Sequence, residues 1–323
     1  MPLIDVFNGD ADGICALHQL RLDEPADSEL VTGPKRDIGL LKRVRAQAGD
    51  RITVLDVALS KNRTALDALL EAGAIVRYFD HHQPGEIPTH PHFEPHIDTD
   101  ANVCTSLLVN DYLQGRQLAW AVVAAFGDNL ADAARRAAVP LKLSAAALAQ
   151  LQSLGECLNY NGYGETLDDL FFDPADLYRQ LRPFADPLAF IEESGAYRTL
   201  KTGYQEDMAR AVAVTPAESR AAGRIFMLPA EKWARRISGV FGNQLAVDSP
   251  AQAHAVLTAK PGGGYLVSVR APLVAKSGAD VLCSQFDSGG GRKGAAGINH
   301  LPESEFGRFV SLFFNIFDNA ARS

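Results

Sequence analysis

The sequence predicts an α/β protein with two domains. The N-terminal domain is expected to hold a parallel sheet and a helical segment, and the smaller C-terminal domain to be α+β. The chain has 323 residues, which is long for one domain at about 100–200 residues per domain. Its first 130 residues alternate apolar runs with stretches of helical spacing, the pattern of parallel strands joined by crossover helices. Beyond residue 215 the pattern changes to short strands, two helices and a glycine-rich loop.

Apolar periodicity places the elements of the N-terminal domain in order. The apolar runs that predict its strands are 3–7, 52–59 and 74–79. Residues 13–22 have helical spacing after the first run, and Leu66, Leu69 and Leu70 share one face of a second helix. The apolar stretch 118–128, around Trp120, predicts a buried helix.

The middle and the C-terminal part differ from this in composition. Residues 130–195 are rich in Ala and Leu and interrupted by proline, which is typical of a helical insertion. We therefore expect a first domain at 1–195, a polar linker at 196–214 and a second domain at 215–323. The second domain is predicted to be α+β. Its strands are expected at 225–228, 253–259 and 265–270, its helices at 230–241 and 306–317, and a glycine-rich loop at 288–297.

Composition excludes several classes of protein. A hydrophobic share of 47% with 22% charged residues is that of a globular chain, and no run of about 18 apolar residues predicts a membrane span. The first residues lack the basic region of a secretory signal, and four cysteines without paired spacing suit a reducing compartment. We expect a cytoplasmic protein with no membrane partner.

The charge balance limits the partners. Thirty-one basic against 39 acidic side chains give a formal charge of −8, so duplex DNA binding is not expected as a main role, because that affinity comes from phosphate neutralisation by Lys and Arg. The same balance allows a small phosphorylated molecule or a short oligonucleotide held by a few arginines. It also allows a cluster of acidic metal ligands. The pattern carries no signal for oligomeric state.

Side chains that can bind a metal ion, most of them acidic or imidazole groups, follow four apolar elements. They are Asn8, Asp10 and Asp12; Asp56; Asp80, His81 and His82; and Asp128. Ligands bind outside the carboxyl ends of strands in open α/β sheets, so the first three groups should share one crevice. Carboxylates gathered there would raise one another's pKa unless cations lay among them. Carboxylates with imidazole suit Mn²⁺, and two ions about 3.5–4 Å apart would activate a water for phosphoryl displacement.

Each segment alone has a plainer interpretation. The stretch Asn8–Gly13 matches the start of a calcium-binding EF-hand loop, but that loop needs a Glu where this chain has Gln19, and a preceding helix where a strand is predicted. Asp56 and Asp128 could equally cap helices, and adjacent histidines are common on surfaces. The joint pattern favours a metal site.

In this order the segments resemble the four motifs of the DHH phosphoesterase superfamily. The first is similar to its Asp-x-Asp-Gly motif, Asp56 to its isolated strand-end Asp, and 126–128 to its fourth motif, while the name-giving Asp-His-His stands intact at 80–82. The second half resembles the DHH-associated domain of RecJ-like exonucleases and nanoRNases, through Ser268-Val269-Arg270 and the glycine-rich 289–297.

The resemblance implies a two-metal phosphoesterase that uses Mn²⁺, with Mg²⁺ or Co²⁺ as substitutes. Its substrate would be a nucleotide or short single-stranded oligonucleotide, including linear or cyclic dinucleotides and 3′-phosphoadenosine phosphate. The implied residues are, for metal, Asn8, Asp10, Asp12, Asp56, His81 and Asp128; for catalysis, Asp80, His81 and His82; and for substrate, Arg270, Gly289, Gly290, Gly291, Arg292 and Lys293.

Two positions depart from the superfamily pattern. Asn8 stands where many members have an acid or His, and its neutral amide oxygen is a weaker ligand. Arg292 replaces the loop His; it keeps phosphate-binding ability but cannot titrate near pH 7. A pyrophosphatase or polyphosphatase of the same superfamily stays open as an alternative, although those members carry a different C-terminal domain. So does a catalytically silent nucleotide sensor.

Overall fold

The chain forms two compact units, Met1–Thr202 and Gly203–Ser323. The structure is a computed structural model that describes residues 2–320. The first unit has a parallel sheet with helices and the second a mixed sheet with helices, which confirms the predicted α/β architecture.

The sheet of the first unit has five strands in the order β2-β1-β3-β4-β5. Every neighbouring pair is parallel. The strands are β1 (Leu3–Phe7), β2 (Glu29–Val31), β3 (Arg51–Leu55), β4 (Ile75–Asp80) and β5 (Phe93–Ile97). The central strands β1, β3 and β4 are nearly continuous apolar runs because helices cover both of their faces.

Nine helices of the first unit surround this sheet within the described residues. They are α1 (Ala11–Asp23), α2 (Leu59–Glu71), α3 (Thr105–Tyr112), α4 (Leu118–Gly127), α5 (Ala131–Ala137), α6 (Ala145–Gly162), α7 (Pro174–Leu181), α8 (Pro187–Glu193) and α9 (Gly195–Val212), the last continuing into the second unit. Phe7, Leu55 and Phe79 pack with α1, α4 and α6 on one face of the sheet. On the other face Val6, the last but one residue of β1, packs in a core with residues of α2.

Helix α4 is buried along most of its length, as its composition predicts. It packs closely against α6, where a Cβ on Gly155 would lie 2.1 Å from the carbonyl oxygen of Val123. Gly127 is equally constrained, since a Cβ there would lie 2.4 Å from the Cβ of Ala11. These contacts fix the end of α4, and with it Asp128, against α1 and the helical segment.

One predicted strand is shorter in the structure, and two strands are additional. The strand expected over 52–59 ends at Leu55, because Asp56 takes a left-handed φ of 58° and α2 begins at Leu59. The short strands β2 and β5 were not predicted. β5 contains Pro95 and is at the sheet edge, where a proline is tolerated because its missing N–H faces no partner strand.

The segment 196–214, expected as a polar and broken linker, lies mostly in α9. Its exposed face is polar, but Ala196, Tyr197 and Leu200 are buried in the core of the first unit. The overall polarity of the stretch conceals this helical periodicity. The division between the two units falls within the helix, after Thr202.

The second unit has a six-stranded mixed sheet in the order β10-β11-β9-β8-β7-β6. Among the described strands of this second sheet, β7 and β8 form the only parallel pair, and the other pairs are antiparallel. The elements are β6 (Glu218–Arg220), β7 (Gly223–Leu228), α10 (Lys232–Asp248), β8 (Ala253–Ala259), β9 (Tyr265–Arg270), α11 (Ala279–Cys283), β10 (Gly289–Arg292), β11 (Ala295–Leu301) and α12 (Phe306–Ala320). Its core is rich in aromatic side chains from α12, such as Phe309 and Phe313.

The glycine-rich stretch expected as a loop at 288–297 is largely a β-hairpin of β10 and β11. Arg292 pairs with Ala295, so the turn consists of Lys293 and Gly294. Strand pairing uses backbone groups, and three glycines can therefore join a ladder that their composition does not predict.

Across residues 2–320, no helix is long and apolar enough to cross a membrane. The four cysteines are buried and free.

Candidate metal centre

The turn from β1 into α1 carries the first predicted ligands. Asp10 caps α1, and its Oδ1 accepts the backbone N–H groups of Asp12 and Gly13, each at 3.1 Å. Gly13 is required for the close turn, since a Cβ there would lie 2.2 Å from the carbonyl oxygen of Asn8. Asp10 and Asp12 are both only 1% exposed.

The start of α3 holds the carboxylate of Asp12. The backbone N–H of Thr105 donates to Asp12 Oδ2 at 2.8 Å, and that of Ser106 donates to Oδ1 at 2.7 Å. The Ser106 hydroxyl also donates to the backbone carbonyl of Asp12 at 2.8 Å. The positive end of α3 therefore faces the Asp12 carboxylate and holds it in place. Sequence reasoning missed both α3 residues, which lie more than 90 positions from Asp12.

Asp56 directly follows β3 in a left-handed backbone conformation, which is uncommon for a residue other than glycine and is found often at functional sites. Its backbone N–H donates to the carbonyl of Phe79 at 3.0 Å, and its Oδ1 accepts from the Thr105 hydroxyl at 3.3 Å. This geometry turns the Asp56 carboxylate toward the carboxyl edge of the sheet.

The Asp-His-His motif begins at the last residue of β4. Asp80 is fully buried, and its Oδ1 accepts the N–H of His81 at 3.0 Å and the Nδ1–H of His82 at 2.7 Å. Its Oδ2 accepts the backbone N–H of Leu59 at 3.3 Å. Asp80 therefore fixes the backbone of His81 and the ring of His82.

The ring of His81 has a defined orientation. Its Nδ1 lies 3.0 Å from the carbonyl oxygen of Val103. A carbonyl only accepts, so Nδ1 carries the proton and Nε2 is directed at the carboxylates. This arrangement, with one ring nitrogen donating to a carbonyl, is typical of metal-binding histidines.

Three carboxylates converge on His81 Nε2. The distances are 3.4 Å to Asp56 Oδ1, 3.8 Å to Asp128 Oδ2 and 3.9 Å to Asp12 Oδ2. His82 Nδ1 lies 3.8 Å from Asp56 Oδ1. Two groups of potential ligand atoms lie within 4.8 Å of one another, Asp12 with His81 and Asp128, and Asp56 with His81 and His82. Residues from four separate elements thus meet at one place.

The electrostatics of the cluster favour a bound cation. Burial raises the pKa of Asp56 well above its usual range, and the nearby Asp10 and Asp12 raise it further. Burial also raises the pKa of Asp128. Burial would lower the pKa of His81, but the carboxylates around it outweigh this and raise it to about 10. A proton on His81 therefore neutralises part of the cluster when no metal is bound.

The residues present fit a divalent metal ion. Carboxylate oxygens and an imidazole nitrogen form a ligand set that suits Mn²⁺ or Mg²⁺. The amide oxygen of Asn8 is buried and accepts no hydrogen bond from the part of the chain that the structure describes. Buried oxygens are rarely left without a partner, and a cation would supply one.

Solved structures share this fold over the whole chain. A RecJ exonuclease bound to manganese matches with a TM-score of 0.62 and 16% identity, covering 100% of this chain and 90% of that one. RecJ from Thermus thermophilus in complex with Mn²⁺ matches with a TM-score of 0.62 and 18% identity, covering 100% of this chain but 52% of that longer one. The pGpG-specific phosphodiesterase PggH from Vibrio cholerae matches with a TM-score of 0.60 and 13% identity, covering 99% of this chain and 100% of that one.

The chain therefore shares the fold of these RecJ and PggH structures. No protein-family model matches the sequence, and no curated protein is similar to it in sequence. At identities of 13–18% the similarity to these structures establishes the fold alone.

Lys35 is a charged residue beside the acidic cluster, and sequence reasoning missed it. Its Nζ lies 2.5 Å from Asp10 Oδ2, 3.6 Å from Asp128 Oδ1 and 3.2 Å from Asn159 Oδ1. Lys35 follows β2 in the stretch Gly33-Pro34-Lys35-Arg36. A basic residue just past a strand at the carboxyl edge is the signal that would have found it, but β2 itself was not predicted.

The residues expected to bind substrate lie in the second unit. The guanidinium of Arg270 donates to Asn243 Oδ1 at 2.7 Å, Ser268 Oγ at 2.9 Å and the Gly239 carbonyl at 3.3 Å. These contacts hold its side chain along α10 and fix its direction. Arg292 and Lys293 are exposed at the end of the hairpin.

The three glycines of β10 have different local environments. A Cβ on Gly289 would lie 1.8 Å from the Cys283 carbonyl oxygen, and Gly291 has a φ of 143°. Packing and backbone conformation therefore require glycine at both positions. A Cβ on Gly290 would meet nothing within 4 Å, so the fold itself does not require glycine there.

Proposed function

We propose that this chain is a manganese-dependent phosphoesterase that hydrolyses a phosphodiester or phosphomonoester of a nucleotide-type substrate. The observation that carries the proposal is the convergence of Asp12, Asp56 and Asp128 on His81 Nε2, all within 3.9 Å. Structural ion pairs do not need two buried carboxylates and a half-buried one around a single imidazole, because such a cluster costs free energy unless it binds a cation.

Asp12, Asp56, His81 and Asp128 would hold one metal ion, and Asn8 and Asp10 are the further donors of the two-ion site that the resemblance implies. Divalent ions bound there, Mn²⁺ first and Mg²⁺ or Co²⁺ as substitutes, would lower the pKa of a water and stabilise charge on the phosphoryl oxygens. The backbone N–H groups that bind Asp12 and the Val103 carbonyl that binds His81 fix the ligands in place, so that little ordering is left to occur on binding.

His82 is suited to move a proton. Its Nδ1 donates to Asp80, which leaves Nε2 as the donor for another group, and its side chain is 36% exposed. Asp80 favours the protonated ring, and the pKa of His82 is raised even though burial opposes this. His82 would protonate the leaving oxygen of the ester, and the buried Asp80 would act as a positioning residue for it.

A nucleotide substrate is supported by the solved structures of similar fold, one an exonuclease and one a pGpG-specific phosphodiesterase by name. The candidates are a short single-stranded oligonucleotide, a linear or cyclic dinucleotide, and 3′-phosphoadenosine phosphate. Arg270, Arg292 and Lys293 would bind the remaining phosphate, and the backbone N–H groups near Gly290 would approach it closely.

The test is hydrolysis by the metal-stripped chain with and without added Mn²⁺. The panel contains a linear dinucleotide, a cyclic dinucleotide, a short RNA and 3′-phosphoadenosine phosphate, with pyrophosphate and polyphosphate as counter-substrates. We expect hydrolysis of a nucleotide with Mn²⁺, its loss in His81→Ala, and its retention in His92→Ala, which changes an exposed histidine. Hydrolysis of pyrophosphate alone, or of a nucleotide without metal, would contradict the proposal.

A further inference from the structure

The ammonium group of Lys35 lies inside the acidic cluster. Its three N–H donors have three oxygen acceptors near them, on Asp10, Asp128 and Asn159, at 2.5, 3.6 and 3.2 Å. The ring of Tyr163 adds a cation–π contact at 5.7 Å from Nζ to the ring centroid. The lysine is therefore bound on several sides by groups that favour a positive charge.

The main chain around Lys35 is also fixed. Its backbone N–H donates to the carbonyl of Gly162 at 2.9 Å. Gly162 in turn packs on Asp10, since a Cβ on Gly162 would lie 2.9 Å from the Cβ of Asp10. The side chain of Lys35 is 27% exposed and that of Asp10 is 2% exposed. Lys35 thus belongs to the site and differs from a mobile surface lysine.

The two groups of potential ligand atoms both include His81, so they can be described as one cation position around its Nε2. Asp12, Asp56 and Asp128 each have an oxygen within 3.9 Å of the same nitrogen, His81 Nε2. Asp10 is the remaining carboxylate, and its closest cation is Lys35.

A second divalent ion would have to lie beside the ammonium group of Lys35, because Lys35 already occupies Asp10 Oδ2. Asp10, Asp12, Asp56 and Asp128 carry a formal charge of −4, and Lys35 contributes +1. One divalent ion leaves the group at −1, whereas two leave it at +1, with Lys35 and the second ion competing for Asp10. The neutral Asn8 adds no charge that would support a second ion. Like charges in a poorly solvated site repel strongly.

We propose that Lys35 takes the place of one of the two divalent cations that the resemblance implies. The wild-type chain would then bind one ion, on Asp12, Asp56, His81 and Asp128, and a neutral residue at position 35 would open a second position at Asp10. This inference rests on the proposed metal-dependent function. It makes Lys35 a fixed positive group at the place where a second ion would otherwise meet the substrate phosphate.

The experiment counts bound metal without using activity. Metal-stripped wild type, Lys35→Met and Lys35→Arg are titrated with Mn²⁺ by isothermal calorimetry, and the metal content is measured after equilibrium dialysis. We expect one Mn²⁺ per chain for wild type and for Lys35→Arg, which keeps the charge, and two for Lys35→Met. Two ions in the wild type, or one in Lys35→Met, would overturn the role of Lys35.

A second variant keeps the test decisive if Lys35→Met does not fold. Asp10→Asn should still bind one Mn²⁺ with affinity within about threefold of wild type, because the ion depends on other carboxylates. Loss of that ion would show that Asp10 is a metal ligand and would overturn the inference. A folded wild type that binds no Mn²⁺ would instead refute the proposed function itself, so the two failures are distinguishable.

Discussion

The loss of activity on removing His82 should depend on how strongly the leaving group requires protonation. Its Nδ1 lies 2.7 Å from Asp80 Oδ1, and this bond orients the ring and stabilises its protonated form. A positioned general acid contributes about 10²–10⁴-fold to rate, which corresponds to about 3–5 kcal/mol at 1.36 kcal/mol per factor of ten. The variant His82→Ala removes the donor and leaves the ligands around His81 Nε2 in place.

The assay compares two substrates. In a dinucleotide the leaving oxygen belongs to a ribose hydroxyl and needs protonation, whereas in bis(p-nitrophenyl) phosphate the nitrophenolate leaves without it. We expect His82→Ala to lower kcat/KM by about 10²–10⁴-fold on the dinucleotide and by less than about tenfold on the nitrophenyl diester. Bound Mn²⁺ should not change, and His92→Ala should behave as wild type. Equal losses on both substrates, or loss of bound metal, would refute the proton-donor role and indicate that His82 is a ligand.

Three further predictions concern stability and the second unit. Burial lowers the pKa of His18 to about 4, below its unfolded value of about 6.5, so the folded state loses stability as the pH falls from 6.5 towards 4. Urea denaturation at pH 7.5 and at pH 4.5 should show that the free energy of unfolding falls by about 2–3 kcal/mol less in His18→Gln than in the wild type. An equal fall in both proteins would contradict the assignment. Gly289→Ala should destabilise the chain by about 1–3 kcal/mol through overpacking, whereas Gly290→Ala should stay within about 0.5 kcal/mol and raise KM; a wild-type KM for Gly290→Ala would remove the hairpin from the substrate site. Arg292→Ala should weaken binding of a dinucleotide by about 1.5–3 kcal/mol and leave a minimal diester unaffected, and equal small effects on both substrates would leave Arg292 without a binding role.

The sequence predicted the central strands β1, β3 and β4, because strands that are buried on both faces need continuous apolar runs. It also predicted that the motifs lie near the carboxyl ends of these strands. It failed where apolar composition does not specify the backbone. Val57 and Leu59 are buried like strand residues, yet Asp56 ends the strand with its left-handed φ. The glycines of β10 show the converse, since their pairing depends on β11 and leaves no side-chain pattern to detect.

The candidate ligands were predictable as a set, since acids after successive parallel strands must meet at one edge of the sheet. Their supports were not, because they come from distant elements. Thr105 and Ser106 reach Asp12 from α3, and Asn159 reaches Lys35 from α6. Only the folded chain reveals that the helical segment 130–195, which carried no motif, forms part of the wall beside Asp10.

The most direct test of the metal centre is a crystal structure of the Mn²⁺-soaked chain with an anomalous difference map recorded at the manganese edge. The account predicts an anomalous peak within about 2.5 Å of His81 Nε2 and of oxygens from Asp12, Asp56 and Asp128, a typical metal–ligand distance. A fully soaked crystal with no peak at these residues, or with its strongest peak elsewhere, would contradict it.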